Sequence, residues 1–375
     1  MYLIYYNTKH LAALTVLFVG DIKCSENNYF SGADKGQVFY YGELILESQP
    51  LREFVIVFLT NCNVIQFFRV SRSDDSYTYT ETIVMDLMGG NEKEGCKCLN
   101  ALIKAKETQL GFVTVEHTLG EEFKPNRYLG SGATSHVYQA EFKNGDVVIK
   151  HFKNEFKHLC EQEANTMKAL QASKLQTVPT FLKSSGESIA MNPVAKRNNR
   201  QLTGFHFLQI LFTLQEVNKL KYVHRDIRPD NILFLNDKAT VFLCDWGFAV
   251  DEGVRTYGGT IHFASKSVLD QLRKNPISVR STFADDLFSL VCVLYVSQFP
   301  SEYEKLVDID SLQLKDIIKF WEEVRSKCSW WEAAFKAAES SNTNNLIQLI
   351  VSYFPLSQTP EEIKQSIFKV MVSSY

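Results

Sequence analysis

Asp226 and Asn231 stand five apart in the stretch HRDIRPDN, with Pro229 between them and the strand-like run ILFL directly after. Nineteen residues beyond Asp226, Asp245 follows the apolar run TVFLC. A carboxylate base, a side-chain amide and a second carboxylate for Mg²⁺ are the parts that phosphoryl transfer needs. Upstream, Gly130 and Gly132 in YLGSGATSHVYQAEF lie between two strand-like runs. Glycines there let the backbone approach a phosphate and offer N–H donors. Lys150 ends DVVIK eighteen residues after Gly132, within reach of a bound phosphate. Glu163 shares a helical face with Met167 and Leu170 and can orient Lys150. Each residue also has a bland reading: a turn glycine, a solvated lysine, a structural carboxylate. Their joint order and spacing favour the chemistry.

The residues from 122 to about 372 resemble the eukaryotic protein-kinase catalytic domain. The resemblance implies an α+β bilobal fold, with a β-rich N-lobe (122–191) and a helical C-lobe (195–372), ATP and Mg²⁺ as cofactors, and a protein substrate. By this likeness Gly130, Gly132 and Val137 cover the nucleotide, and Lys150 binds the α- and β-phosphates and pairs with Glu163. IAMNPV resembles the hinge, with Met191 as gatekeeper and Val194 offering its backbone to adenine. Val148 lies above the adenine and Leu233 floors its pocket. Asp226 accepts the substrate hydroxyl's proton, and Asn231 and Asp245 hold Mg²⁺. Asp286 in DDLFSLVCVLY resembles the helix aspartate that ties down the catalytic loop. The finer pattern, CDWGFAV with YGGTIHFASKSVL and HRDIRPDN, looks like the kinases attached to Crinkler-type effectors, which suggests delivery into another cell.

Several positions depart from the family pattern. Trp246 replaces the Phe of Asp-Phe-Gly, and its indole N–H needs a partner. Arg228 stands where serine/threonine kinases carry Lys, so a planar fork meets the γ-phosphate. Val148 replaces an Ala and tightens the pocket. Ala264-Ser265-Lys266 replaces Ala-Pro-Glu, and Lys266 cannot make the ion pair of that Glu. Thr260, with Pro229, favours serine/threonine over tyrosine specificity. Thr256 and Tyr257 are phosphosites or solvated loop hydroxyls, and Asp251 or Glu252 substitutes for a phosphate opposite Arg225. With Lys150, Glu163, Asp226, Asn231 and Asp245 all present, an active enzyme is expected. A pseudokinase or nucleotide-binding scaffold is the alternative.

The elements that must position these residues follow from pattern. Residues 128–192 read as strands with one short helix, and 200–375 as mostly helical, with Phe207, Leu211, Leu214 and Val217 at helical spacing. The polar stretch LGEEFKPNR, holding Pro125, marks the boundary of a preceding α/β domain, residues 1–118. There LTVLFVG, EFVIVFLTN and VIQFFRVSR read as strands, and KGQVFYYGELILES and GCKCLNALIKAK as helices. The first strand ends in Asp21-Ile22-Lys23, and Gln37-x-x-x-Tyr41 lies on the next helix. This succession resembles the PD-(D/E)XK nuclease core, in which the acid ligates Mg²⁺ and the lysine orients water. That fold needs another acid on the preceding strand, and residues 1–20 contain no Asp or Glu. Either an upstream segment supplies that acid, or the domain is a degenerate, inactive module that binds a partner or nucleic acid, or Asp21 and Lys23 are simply a polar strand end.

Bulk properties narrow the rest. A net charge of −3 supplies no global basic field for nucleic-acid binding. The eight scattered cysteines fit a reducing compartment, hence an intracellular, cytoplasmic or nuclear setting. Cys96-x-Cys98 lacks the second pair that a zinc site needs. Leu11 to Gly20 imitates a signal-peptide core but lacks a cleavage site. It is also short of the ~20 apolar residues that span a bilayer, so a strand is expected and no membrane partner.

Overall fold

In the computed structural model the described residues are 2–6, 16–24, 28–73, 76–89, 93–112, 119–143, 145–171, 175, 177–197, 202–235, 240–251, 253–354 and 365. The chain divides into two compact units, Met1–His151 and Phe152–Tyr375.

The first unit opens with β1 (Tyr2–Tyr6), β2 (Val16–Ile22), α1 (Gly32–Ser48), β3 (Phe54–Thr60), β4 (Val64–Ser73), β5 (Ser76–Glu81), β6 (Met85–Asp86) and α2 (Glu94–Lys104). The expected strand and both expected helices form, although residues 11–15 of the apolar run lie outside the described residues. The sheet order is β1-β2-β3-β4-β5, with β6 also on β4. β2 and β3 are parallel and the other pairs antiparallel, so α1 is the crossover that a parallel pair requires. Ser31 caps α1 and forms a box with Asp34. Val38, Ile45 and Leu46 of α1 pack on Val55, Val57 and Leu59 of β3, while Phe58 joins Leu102 of α2 on the other side. Both faces of β3 are covered, which is why it reads as one continuous apolar run.

Arg52 is 1 % exposed and, among the described residues, has no carboxylate partner. Its Nε donates to Phe54 O, Nη1 to Val16 O and Gln49 Oε1, and Nη2 to Leu17 O and Leu110 O. All five guanidinium N–H donors are thereby used, joining β2, β3 and the turn Glu107–Leu110. Burial lowers its pKa to about 10. The unit closes with β7 (Lys124–Ser131), β8 (Ser135–Phe142) and β9 (Gly145–Phe152), the last residue of which opens the second unit.

The second unit holds α3 (Lys157–Leu170), β10 (Thr180–Ser184), β11 (Ser188–Asn192), α4 (Gly204–Lys219), β12 (Tyr222–Val223), β13 (Ile232–Phe234), β14 (Val241–Leu243), β15 (Val250–Asp251), β16 (Gly253–Arg255), α5 (Lys266–Lys274), β17 (Val279–Ser281), α6 (Phe283–Gln298), α7 (Pro300–Val307), α8 (Leu314–Ser326), α9 (Ser329–Glu339) and α10 (Thr343–Tyr353). Nearly every residue of α6 is buried, as expected of a helix apolar all round. It forms the core with α4 and α9 through residues such as Phe207, Leu211, Leu290 and Phe335. β13 and β14 form a hairpin, and β12 pairs with β15. These short ladders fix the loops between them, on which Asp226, Asn231 and Asp245 lie. Among the described residues no single helix is long and apolar enough to cross a membrane.

Candidate active site

The loop between β12 and β13 is tied down from below by Asp286 in the first turn of α6. Its Oδ2 accepts the His224 N–H at 2.7 Å and its Oδ1 the Arg225 N–H at 2.8 Å. Burial pushes the Asp286 carboxyl up to about 7, against those two amides and the Arg225 charge. His224 Nδ1 accepts the Asp226 N–H at 3.2 Å, so Nε2 carries the ring proton and donates to Cys244 O at 3.0 Å. Arg225 takes a left-handed φ of 73° between these anchors.

Asp226 is 5 % exposed and both its carboxylate oxygens are held. Oδ1 accepts the Thr260 N–H at 2.8 Å; Oδ2 accepts Asn231 Nδ2 at 2.8 Å and lies 3.5 Å from Arg228 Nε. Asn231 Nδ2 also donates to Asp226 O at 2.8 Å. Both amide hydrogens of Asn231 are thus spent on Asp226. Asp245 follows β14 with φ 63°, a conformation rare for a residue with a side chain. Trp246 is fully buried, its ring edge-on to His224 at 4.4 Å, and its N–H finds the expected partner in Leu243 O at 2.9 Å. Gly247 leaves little room for a side chain. A Cβ there would stand 2.9 Å from Glu163 Oε2 and 3.6 Å from Asp245 Oδ1. The buried Glu163 carboxylate therefore lies beside Asp245, carried there by α3.

The segment after Asp245 is anchored at both ends. Arg225 donates from Nη1 to Phe248 O at 3.4 Å and from Nη2 to Thr256 O at 2.5 Å, and its guanidinium lies 5.4 Å from the Tyr257 ring. The Tyr257 hydroxyl points to Arg225 O at 3.4 Å, and burial pushes its pKa far up. Tyr257 is thus no solvated loop hydroxyl, whereas Thr256 is exposed. Of the two acids expected opposite Arg225, Asp251 pairs with Arg255 at 3.2 Å instead, and Glu252 lies outside the described residues. Among the described residues Arg225 is met there by backbone carbonyls. At the far end Ser265 caps α5 and donates to Asp285 Oδ1, Trp321 Nε1 donates to His262 O, and Ser289 donates to Phe263 O. Lys266, which cannot make the ion pair of the family's Glu, makes a different one. Lys266 Nζ meets Glu322 Oε1 at 2.6 Å, because α8 presents a carboxylate to the cation. Asp285, Glu322 and Trp321 escaped the sequence reading because their partners lie twenty or more residues away.

In the first unit, Gly130 and Gly132 sit at the turn between β7 and β8, both with open space where a Cβ would be. The Gly132 amide closes that turn on Ser135 O at 2.9 Å. Tyr138 and Ala140 of β8 are buried, while Val137 is half-buried on the opposite face. Strand alternation puts Val148 and the buried Lys150 on one face of β9, and Val147 and Ile149 on the other.

The same unit gathers the polar residues of the N-terminal motif. Lys23 Nζ lies 2.8 Å from Asp21 Oδ2 and 3.3 Å from Asp34 Oδ1, and donates to Gln37 Oε1 at 2.6 Å. Gln37 Nε2 in turn donates to Tyr41 at 2.6 Å. Although burial opposes it, Asp21 and Asp34 hold the Lys23 pKa above its ordinary value. The Asp34 carboxyl is held down first by Ser31 and also by Lys23. Asp34 was missed, and the signal for it was its place as the box partner of Ser31.

Residues 123–366, more than half of the chain, match the protein kinase domain family. The chain belongs to the protein kinase family. Residues 2–52 match a domain of unknown function (DUF6826). The serine/threonine-protein kinase nekl-2 of Caenorhabditis elegans is 33 % identical over 94 residues, 24 % of this chain and 24 % of that protein. MAP kinase-activated protein kinase 5 of Mus musculus is 33 % identical over 114 residues, 26 % of this chain and 24 % of that protein. The alignment thus spans about a quarter of each relative. A solved structure of vaccinia related kinase 3 superposes with a TM-score of 0.48 at 16 % identity, covering 64 % of this chain and 89 % of that one. Within the kinase domain the second unit brings Asp226, Arg228, Asn231 and Thr260 into contact, and Glu163 beside Asp245. Met191 on β11 is buried, Val194 beyond it half-buried, and Leu233 is the half-buried residue between the buried Ile232 and Phe234 of β13.

Proposed function

We propose that the kinase domain is catalytically active and transfers the γ-phosphate of ATP to serine or threonine of a protein. The clamp on Asp226 carries this reading. A carboxylate held by Thr260 N–H and Asn231 Nδ2 keeps one orientation toward an incoming hydroxyl, as a positioned base requires. Thr260 and Pro229 support serine or threonine as the acceptor. The Asn231 carbonyl and the Asp245 carboxylate are hard oxygen donors that suit Mg²⁺, an ion that keeps water and phosphate as its other ligands. Among the described residues no group of three or more His, Cys, Asp or Glu side chains offers a rival metal site. When bound, Mg²⁺ neutralises charge on the phosphoryl group in transfer. Gly130, Gly132 and Val137 are assigned to cover the nucleotide. Val148, Met191 and Leu233 wall the adenine, and Val194 meets it with backbone. Lys150 is assigned to the α- and β-phosphates, and Arg228 to the γ-phosphate.

Thermal melting with ATP and Mg²⁺, alongside phosphate transfer by wild type and Asp226→Asn, tests the proposal. Saturating nucleotide at about 100 times its Kd adds about 2.7 kcal/mol of stability. Removing the base lowers transfer by about 10² to 10⁴-fold. A melting shift without transfer would make this a nucleotide-binding scaffold, and neither would end the reading altogether.

The N-terminal domain supports a second reading, as a PD-(D/E)XK-like module that binds nucleic acid or a protein without cutting it. The cluster of Lys23 with Asp21, Asp34 and Gln37 favours it. An ammonium already occupies the position between the two carboxylates, which a divalent cation would have to displace. Mg²⁺-dependent DNA cleavage that disappears in Lys23→Ala would show an enzyme instead. An intracellular setting and the Crinkler-type subgroup are proposed with it, and imaging of tagged protein in producing and recipient cells checks both.

A further inference from the structure

We infer that the surface beside Asp226 selects protein substrates with an anionic residue next to the acceptor hydroxyl, and that Arg197 is the selecting residue. This rests on the kinase reading above and adds a substrate class to it.

Asp230, four residues after Asp226, is the partly exposed carboxylate nearest to it in the loop. It is already taken. Arg228 Nη1 lies 3.4 Å from its Oδ2 and Arg197 Nη1 lies 3.5 Å from its Oδ1. Arg228 also reaches Asp226 at 3.5 Å, so one guanidinium bridges both carboxylates. The two arginines bracket Asp230, and Lys196 beside them is exposed too. Two guanidinium groups thus hold Asp230, and one of them also reaches Asp226. The Arg197 side chain remains 73 % exposed, and a single contact to Asp230 leaves most of its N–H donors to solvent.

The cluster lies alongside the segment that would receive the substrate. Tyr303 of α7 lies 6.2 Å from Phe263, the rings tilted at 43°, three residues beyond Thr260, whose amide holds Asp226. Burial first, then the charge of Asp230, raises the Tyr303 pKa, while Arg228 and Arg197 oppose the shift. Its phenol therefore feels all three charges. A lysine or arginine on the substrate would have to displace a guanidinium and then sit against two cations. A carboxylate or phosphate finds Arg197 open, with charge-assisted hydrogen bonds to gain. Discrimination comes as much from repulsion as from attraction.

The test is fluorescence anisotropy with the full chain and three peptides that share one serine, flanked by aspartate, phosphoserine or arginine. Phosphate transfer from ATP to each is followed in parallel. The aspartate peptide should bind at least about fivefold more tightly than the arginine peptide, the scale of one charge contact, and the preference should shrink with salt. A still tighter phosphoserine peptide would identify a phosphorylated neighbour as the natural source of the anion. Arg197→Glu should reverse the order without changing thermal melting. Equal binding of the three, absent binding, a preference for arginine, or an unchanged ratio in Arg197→Glu would each overturn the inference. Acid-selective binding with no transfer to any peptide would leave it standing and remove the reading as an active kinase.

Discussion

Two glycines downstream of Asp226 have different neighbours and should fail differently. A Cβ at Gly247 would meet the Glu163 carboxylate, the end of a flexible side chain that can move aside. Gly247→Ala should therefore melt within a few degrees of wild type yet lose about 10²-fold in transfer, the scale of a catalytic group displaced by about 1 Å. A Cβ at Gly259 would stand 2.0 Å from the Arg225 carbonyl, which is backbone and anchored to Asp286. Gly259→Ala should lose transfer and melt lower as well. Parallel melting curves and rates on the two variants check the contrast, and equal behaviour would refute it. At this scale the sequence was most informative where one residue type suits one chemistry, as at Asp226, Asn231 and Asp245. It was silent on which atom makes a contact: Thr260 meets Asp226 by its amide, not its hydroxyl.

The elements explain why some expectations needed correction. Helices and strands were legible because their periodicities are local, as in the continuous apolar β3 and the mostly buried α6. Anchors between elements were not, because nothing near Lys266 announces Glu322 fifty-six residues later. That pair reverses the polarity expected from the family pattern. The reversal gives a direct test. Lys266→Glu should cost no more than about 1 kcal/mol, since both partners are half-exposed. It should also reduce transfer by loosening the end of the segment. Lys266→Glu with Glu322→Lys should restore both. If the double variant is no better than the single one, the pair does not hold the segment.

Across the whole molecule, stability should depend on acid through a network far from the chemistry. Glu302 of α7 accepts hydrogen bonds from Lys305, Lys327 and Tyr295, and these lower its pKa to about 2, with Lys305 the largest influence. A depressed carboxyl pKa stabilises the fold above the ordinary value near 4.5, and that contribution is lost as pH falls toward 2. Melting temperature should fall across this window in wild type and more shallowly in Glu302→Gln. A parallel decline in both would assign the acid sensitivity elsewhere. At this scale the kinase domain was legible because its motifs are spread over the whole segment in order. The N-terminal domain was not, because two short motifs fix a topology of β2, α1 and β3 without fixing what it does.

The grip of Arg225 on Phe248 O and Thr256 O has a consequence for how such an enzyme is governed. Main-chain oxygens cannot be added by one enzyme or removed by another. A catalytic segment fastened this way should be set from the moment of folding, and exhaustive phosphatase treatment should leave its rate unchanged. A large drop after that treatment would show that a covalent mark is needed after all. With no such mark to erase, output follows the number of molecules present, and cells would have to regulate it through synthesis, destruction and address.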